Sequence, residues 1–474
     1  MAPNIHKNIM IQGESPILSC SLLAGIEDHL SESVANVKTN TTANISTTST
    51  DNNININVNV NVNVNLNNDD KPNHRKIFRT PSWKESSTIE PHFNIGLILD
   101  STKIKDPHVS AISKPASRCH LTSVVVLQPD ADETTTGSID DSVGKWLASN
   151  KVAEGVENLE YVGTGQEGCD KMLRLDSNIH AVYIIALNTQ KRYVLQALNA
   201  KKHVLANDPT SVTLSEFMEE LECAKKNGKF IQTTAMFVHQ YRVQRFMNHV
   251  LQDRKFGRIT DVESSIQLNY NDVEKVGVKL PLGPEHGCIR VLGRFCVLVS
   301  TMFFNRVGSY AKSARVKSWK YGMHGEIIAA DCIVYFTNDR QLNFYVAYIQ
   351  SGTRQSIELN ATSRYATMND FVIEHPDGLS TYRVHDRKAH LDGNIQALDS
   401  DSFDVGMGLG QERVLWRTFV RLGYQLDNNG GWDGNEAIAD CKELTEVALQ
   451  MKKILIALME SLENEGKEVP VQGL

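Results

Sequence analysis

The chain has 474 residues, of which 41% are hydrophobic and 22% charged, and its formal net charge is −7. That length accommodates two or three domains with sizeable cores. The acidic balance lacks the basic footprint of a nucleic-acid-binding domain, no run of 18 apolar residues marks a membrane span, and no basic stretch followed by an apolar core marks a secretory signal.

Residues 1–90 are rich in Ser, Thr and Asn and poor in aromatics. Such a segment cannot bury enough apolar surface to offset the entropy of ordering it, so it is expected as a disordered low-complexity tail. Within it, Asn alternates with Ile, Val or Leu over residues 52–68, a period of two that suits a strand. The alternation has two readings, a self-pairing β segment or a repeat tolerated in a tail, and the second is the plainer. A basic stretch follows at 71–84. Its Ser82 stands three residues after Arg79 and has two readings, a phosphorylation site or part of a solvated linker. The acids Glu14, Glu27 and Asp28 weaken an organellar transit-peptide reading without closing it, and a cytoplasmic location is expected.

From 91 to 235 the pattern becomes strand, helix, strand. Residues 93–99 (FNIGLIL), 121–128, 161–162, 181–186, 202–206 and 230–233 read as short buried strands. Helices are expected near 105–114, 141–150, 168–174, 191–200 and 214–227, the last with Ser211 as a cap and Gly228 as its stop. Strands alternating with helices through short connections predict a Rossmann-like doubly wound parallel sheet. From 260 to 373 strand-like segments follow one another with turns at Asn338-Asp339 and Ser351-Gly352, which predicts a large open, mostly antiparallel sheet. Two helices close the chain, at 411–421 and 436–463. The second domain, 236–474, is thus α+β. Eight cysteines stand singly, with no Cys-x-x-Cys pair and no zinc spacing, so reduced and mostly buried thiols are expected and no metal site.

The stretch AVYIIALNTQKRYVLQALNAKKHVLANDP, residues 181–209, is the most specific part of the chain. With the preceding DSNIH and the following helix, it resembles the Gfo/Idh/MocA oxidoreductases, the relatives of glucose–fructose oxidoreductase and inositol dehydrogenase. Lys202-His203-Val204-Leu205 and Pro209 match that family's pattern. MFVHQYRVQRFMNHVLQDRKFGRITDV, residues 236–262, resembles the helix opening its second domain. QERVLWRTFVRL and the closing helix resemble its C-terminal elements. The resemblance covers roughly 93–471. It implies a nicotinamide dinucleotide, NAD(P), at the carboxyl ends of the parallel strands, and hydride transfer to or from a sugar, polyol or related hydroxy or keto compound. It also implies a homo-oligomer formed through the exposed face of the antiparallel sheet.

The family's chemical positions are altered one after another. Its phosphate loop, Gly-x-x-Gly-x-Gly/Ala, reads Gly96-Leu97-Ile98-Leu99-Asp100-Ser101 here, so only Gly96 remains and Leu99 is expected to block close approach of a phosphate. Asp130 stands near the ribose-recognition position, and Asn188 keeps the Asn of Asn-x-x-His while Lys191 takes the His. The proton-transfer lysine of Glu-Lys-Pro is Asp208, preceded by Asn207. In the substrate helix, Gly293 is kept, but Val291 replaces an Asp and Leu298 a His or Asp. Gly96, Asp130 and Asn188 are therefore the candidate cofactor contacts. Asp208, Lys191, Val291 and Leu298 are the altered chemical positions, and Lys191, His239 and His286 are candidates for a relocated acid or base. Three functions stay open: a catalytically silent pseudoenzyme that binds or assembles, an NAD(P)-dependent oxidoreductase with a divergent site, and a chain whose Asn-repeat tail is the functional part with the folded domains as its carrier.

Overall fold

The structure is a computed structural model that describes residues 39–50, 53–64, 91–100, 107–112, 117–127, 161–174, 178–185, 190–206, 213–233, 236–270, 287–349, 351–373, 380–386, 400–405, 410–433 and 438–472. The chain divides into two compact units, residues 1–75 and 76–474. In the first, β1 (Thr39–Thr50) and β2 (Asn53–Val64) form an antiparallel two-stranded sheet, so the Asn-aliphatic alternation lies in a strand whose period it shares. The basic stretch 71–84 and the expected helix at 141–150 lie outside the described residues.

The second unit begins with the parallel sheet. Its strands are β3 (Phe93–Asp100), β4 (Cys119–Leu127), β5 (Tyr161–Thr164), β6 (Ala181–Ile185), β7 (His203–Ala206) and β8 (Ile231–Thr233). They lie in the order β5-β4-β3-β6-β7-β8, all parallel, with the chain reversing direction of growth between β3 and β6. This is the doubly wound Rossmann order. Every residue of β6 and β7 is buried, as a parallel strand covered on both faces requires.

The helices covering one face are α2 (Gly165–Arg174), α3 (Gln190–Asn199) and α4 (Leu214–Lys226). They pack Met172, Val194, Leu198 and Leu221 against Ile98, Val125, Val182 and Val204. The other face is covered by α1 (Pro107–Ile112) and by a helix from far along the chain, α7 (Gln411–Asn428). Leu415, Trp416, Phe419 and Leu422 of α7 join Phe93, Leu97, Val124 and Tyr183 in one core. A helix that the sequence places with the second domain thus closes the first. The N-cap of α4 is Thr213, not Ser211. Thr213 and Glu216 form a reciprocal capping box, with Glu216 N–H donating to Thr213 Oγ1 at 3.2 Å and Thr213 N–H to the Glu216 carboxylate at 3.0 Å.

The rest of the unit is built on a nine-stranded sheet of β9 (Ile259–Asn269), β10 (Ala311–Tyr321), β11 (Ile327–Phe336), β12 (Arg340–Ile349), β13 (Arg354–Ala361), β14 (Arg364–Asn369), β15 (Ser380–Asp386), β16 (Ser400–Val405) and β17 (Val469–Pro470). Its order is β16-β15-β14-β13-β9-β12-β11-β10-β17, antiparallel except between β12 and β9. One face packs on α5 (Tyr241–Gln252), α6 (Arg294–Arg306) and α8 (Ala439–Glu463), with Phe246, Phe303, Phe304 and Leu458 in the shared core. Gly257 opens β9 with φ +76°, and a Cβ there would run into the Thr362 side chain, so the turn before the sheet needs glycine twice over.

Candidate functional site

In a doubly wound sheet the ligand crevice lies outside the carboxyl ends of the strands, at the point where strand order reverses. Here that point is the gap beyond Asp100 of β3 and Ile185 of β6. Asp130, Asn188, Asp208 and His286 all lie outside the described residues, as do residues 101–106 that follow β3. The remaining candidates are placed.

Gly96 sits inside β3, paired with Val182 of β6 and Ser123 of β4, rather than in a turn. A Cβ on it would stand 2.9 Å from Met172 Sδ, so its bareness lets α2 approach the sheet. β3 keeps its ladder through Leu99 and Asp100, which pair with Val126 and Leu127, and the Leu99 side chain is fully buried in the core shared with α1 and α7. The strand runs on across the segment where the family's glycine turn would begin.

Lys191, at the start of α3, reaches sideways to α4. Its ammonium lies 2.8 Å from Glu219 and 3.7 Å from Glu216. Hydrogen bonding to the Glu219 carboxylate holds its pKa above the usual value. A general base must shed its proton near neutral pH, so this environment works against that role.

Val291 and Leu298 are both buried. Val291 lies in a single π-helical turn, Ile289–Gly293, that leads into α6, and Gly293 in the same turn lets Phe344 of β12 pack close, since a Cβ there would meet the ring at 3.1 Å. Such π-turns shift the side chains that follow them around the helix. Leu298 then faces a cavity of about 40 Å³ at the end of β8. The same cavity is lined by Gln232 and Thr233 of β8, His239, Met302 of α6 and Thr445 of α8.

His239 closes a 3₁₀ turn, Met236–His239, that joins the parallel sheet to α5. It is 7% exposed, and the Gln232 side-chain amide donates to its Nε2 at 2.9 Å. Burial, assisted by the positive charge of Arg421, pushes its pKa down to about 4, so the ring is neutral at pH 7. The next residue, Gln240, ties the turn to its neighbours. Its amide donates to Val372 O at 3.1 Å and to Gln411 at the head of α7, and its Oε1 accepts from Arg242 Nε at 2.5 Å. The structure therefore brings His239 and Leu298 together and leaves Lys191 on a separate surface. Gln232 is the partner that sequence reading missed. Its one signal was a polar residue within an apolar strand.

A second polar cluster sits at the opposite, amino-terminal end of the parallel sheet. His203, fully buried, donates from Nε2 to Asp427 at 3.0 Å, and its Nδ1 accepts from Phe230 N–H at 3.0 Å. Lys229 Nζ meets the other Asp427 oxygen at 2.6 Å. Phe93 stacks between His203 and His180, at centroid distances of 5.5 and 5.3 Å. This cluster fastens the end of α7 to the sheet. It lies away from the crevice, so its role is architectural. Among the described residues no cluster of His, Cys, Asp or Glu has the arrangement of a metal site, and no helix is long and apolar enough to cross a membrane.

Comparison with known proteins agrees with this architecture. Residues 103–235 match the GFO_IDH_MocA family, described as an oxidoreductase family with an NAD-binding Rossmann fold. The match begins after the segment 96–102, where the glycine pattern is altered. Among solved structures, an oxidoreductase from Pseudomonas syringae superposes with a TM-score of 0.60 at 11% identity, covering 80% of this chain and 99% of that one. An NAD binding oxidoreductase from Klebsiella pneumoniae gives 0.59 at 13% identity, covering 81% and 100%. A 3-ketoreductase from Actinomadura kijaniata, in complex with NADP and TDP-benzene, gives 0.57 at 12% identity, covering 78% and 98%. At these identities the superpositions speak for fold. Residues 103–235 thus match the NAD-binding Rossmann domain of the Gfo/Idh/MocA oxidoreductase family, and the chain shares its overall fold, a Rossmann-like parallel sheet plus a large mixed sheet, with solved oxidoreductases.

Proposed function

We propose that the chain is a catalytically silent member of this oxidoreductase family, acting as a binding and assembly protein. The observation that carries this reading is the cavity around His239. It is lined by His239 and by Leu298, one of the second domain's altered chemical positions, and it holds about 40 Å³. Pockets that take sugar- or drug-sized ligands run to roughly 300–1,000 Å³. Three further features support it. Asp208 replaces the proton-transfer lysine, Lys191 is held in an ion pair with Glu219, and β3 keeps strand geometry through Asp100, where a glycine turn would cradle pyrophosphate. A carboxylate at Asp100 opposes a phosphate dianion. The residues preceding the turn thus fit NAD(P) poorly, although the fold provides the crevice in which relatives hold it. Assembly is proposed to run through the outer face of the nine-stranded sheet, where Glu263, Tyr345 and Ser356 are exposed.

A second reading is an NAD(P)-dependent oxidoreductase on a small hydroxy or keto compound, with His239 as its relocated base. The neutral imidazole, oriented by Gln232 beside Leu298, favours it. One experiment separates the two. NADH and NADPH are titrated against the full chain, with nicotinamide fluorescence and melting temperature as readouts, and sugars and polyols are then screened for turnover. The silent reading expects no hydride transfer and no rise in melting temperature at saturating dinucleotide. Micromolar binding would remove the cofactor-free part of it, and turnover lost in His239→Ala would establish the second reading instead.

A further inference from the structure

The outer face of the nine-stranded sheet carries an inference that rests on the assembly reading above and deepens it. β9 stands fifth of the nine strands and so marks the centre of that face. Ser264 Oγ meets Cys296 of α6 at 3.3 Å, so its neighbours Glu263 and Ser265 point away from the helices. Glu263 lies in direct register with Glu358 of β13, which puts two carboxylates side by side on the outer face. Asp261 of β9 adds a third on the same face. On the other flank β12 offers only the uncharged Gln341 and Asn343 opposite Asp261 and Glu263. Following the register outward, the row of Glu263 and Glu358 ends in Arg315 of β10 and Arg383 of β15. At about 4.8 Å between strands these arginines stand roughly 14 and 10 Å from the acids, beyond a Debye length in physiological salt. Arg354, at the start of β13, is four residues along from Glu358, again roughly 14 Å away. Lys317 is the cation that acts on Glu263, and it already holds Asp331 of β11 at 3.1 Å. His385 lies beyond β14, stacked on Tyr365 at 4.4 Å.

Like charges directly opposite in a ladder destabilise a sheet. In a single copy water screens the pair, and Glu358 also accepts from the Asn360 amide at 3.2 Å. Even so, burial, followed by the charges of Glu358 and Asp261, holds the Glu263 carboxyl above its usual pKa, with Lys317 opposing. A second copy sharpens the conflict. The six strands from β10 to β14 in the sheet order, about eight residues long at 3.4 Å each, give a face of roughly 800 Å². Sheet-on-sheet contact then buries about 1,600 Å² in total, the size of a stable pairwise interface. Overlap is greatest when the pair is centred on β9, and residues near the two-fold of an isologous pair meet their own copies. Four glutamates would thus gather at the middle of the contact, away from water, with the arginines left at the rim. Like-charge juxtaposition of this kind suppresses association. A protonated carboxyl removes the repulsion, because it donates a hydrogen bond to the neighbouring carboxylate.

We propose that two copies of this chain pair through the outer face of the sheet, centred on β9, and that Glu263 and Glu358 gate the pairing by protonation, so that it forms in acid and is held apart at neutral pH. The test is sedimentation equilibrium of the full chain at pH 7.5 and 5.5. Uptake of one proton per pair strengthens association about tenfold per pH unit while the carboxylates are ionised in the free copies, so the parent should pair at least about tenfold more tightly at pH 5.5. E263Q/E358Q should pair at pH 7.5 as tightly as the parent does at 5.5 and lose most of the pH dependence. E222Q/E463Q, which removes the same charge from exposed positions on α4 and α8, should behave as the parent. Ser356→Arg and, separately, Tyr345→Arg place a cation in the contact and should weaken pairing at pH 5.5 while keeping the parent melting temperature. Pairing equally tight at both pH values but still blocked by Ser356→Arg and Tyr345→Arg would overturn the gate and leave assembly through this face standing. A pH dependence that survives in E263Q/E358Q, or that E222Q/E463Q abolishes as well, would overturn the assignment to the two glutamates. Absence of pairing in the parent and in E263Q/E358Q at both pH values, or pairing indifferent to both arginine variants, would overturn the gate and the assembly reading together.

Discussion

Replacing His239 by Gln tests the reading of the domain junction most directly. Gln places an amide near the position of the imidazole Nε2, so the contact with Gln232 can be kept while titration is removed. The histidine's ordinary pKa is 6.5 and its folded value is about 4. The folded state therefore binds fewer protons than the unfolded state between those values, and stability rises with pH across that window. The contribution is fully present above pH 6.5 and is lost as pH falls through about 4. The whole shift corresponds to about 3.4 kcal/mol, at 1.36 kcal/mol per unit. At pH 4.5 about 2.5 kcal/mol of it is already gone, and at pH 7.5 almost none. Urea unfolding of both proteins at the two pH values measures this directly. The stability of the parent minus that of His239→Gln should fall by about 2.5 kcal/mol between pH 7.5 and 4.5. The other histidines and carboxylates titrate in both proteins and cancel in the difference. A difference that stays flat with pH would refute the buried, neutral imidazole.

Three further outcomes follow from the packing. Asp427→Ala leaves the fully buried His203 Nε2–H without its acceptor and should cost about 1–3 kcal/mol by thermal unfolding, whereas Asp427→Asn, which keeps a carbonyl there, should cost less. For Asp427 itself, burial raises the pKa, but the His203 and Lys229 contacts outweigh it and hold the carboxyl below its usual value. That contribution is present above the ordinary carboxylate pKa and is lost as pH falls through the folded one. Gly96→Ala should destabilise by about 1–3 kcal/mol through overpacking against Met172, and Met172→Ala should relieve part of that cost in a double-mutant cycle. Leu298→Ala should destabilise by about 2–5 kcal/mol, because it enlarges a cavity whose walls are fixed by β8 and α8. A neutral result there would show that Leu298 faces a site able to adapt.

The sequence by itself determined the alternation of strands and helices, the change to a strand-rich second half, and the family resemblance of 181–209. Those properties live in periodicity, and periodicity is local. It also holds the capping box of α4, since Thr213 and Glu216 stand at the spacing that closes one. The tertiary structure alone decided the rest. Leu99 is a core residue because β3 continues through it to Asp100, and strand length is set by the ladder to β4 and β6. α7 covers the parallel sheet although more than 170 residues separate it from β8, because a sheet of this kind must be covered on both faces. Lys191 belongs to an ion pair with a neighbouring helix, and His239 meets Gln232 across a turn. Such pairings depend on distances between elements, which are fixed only when the chain packs.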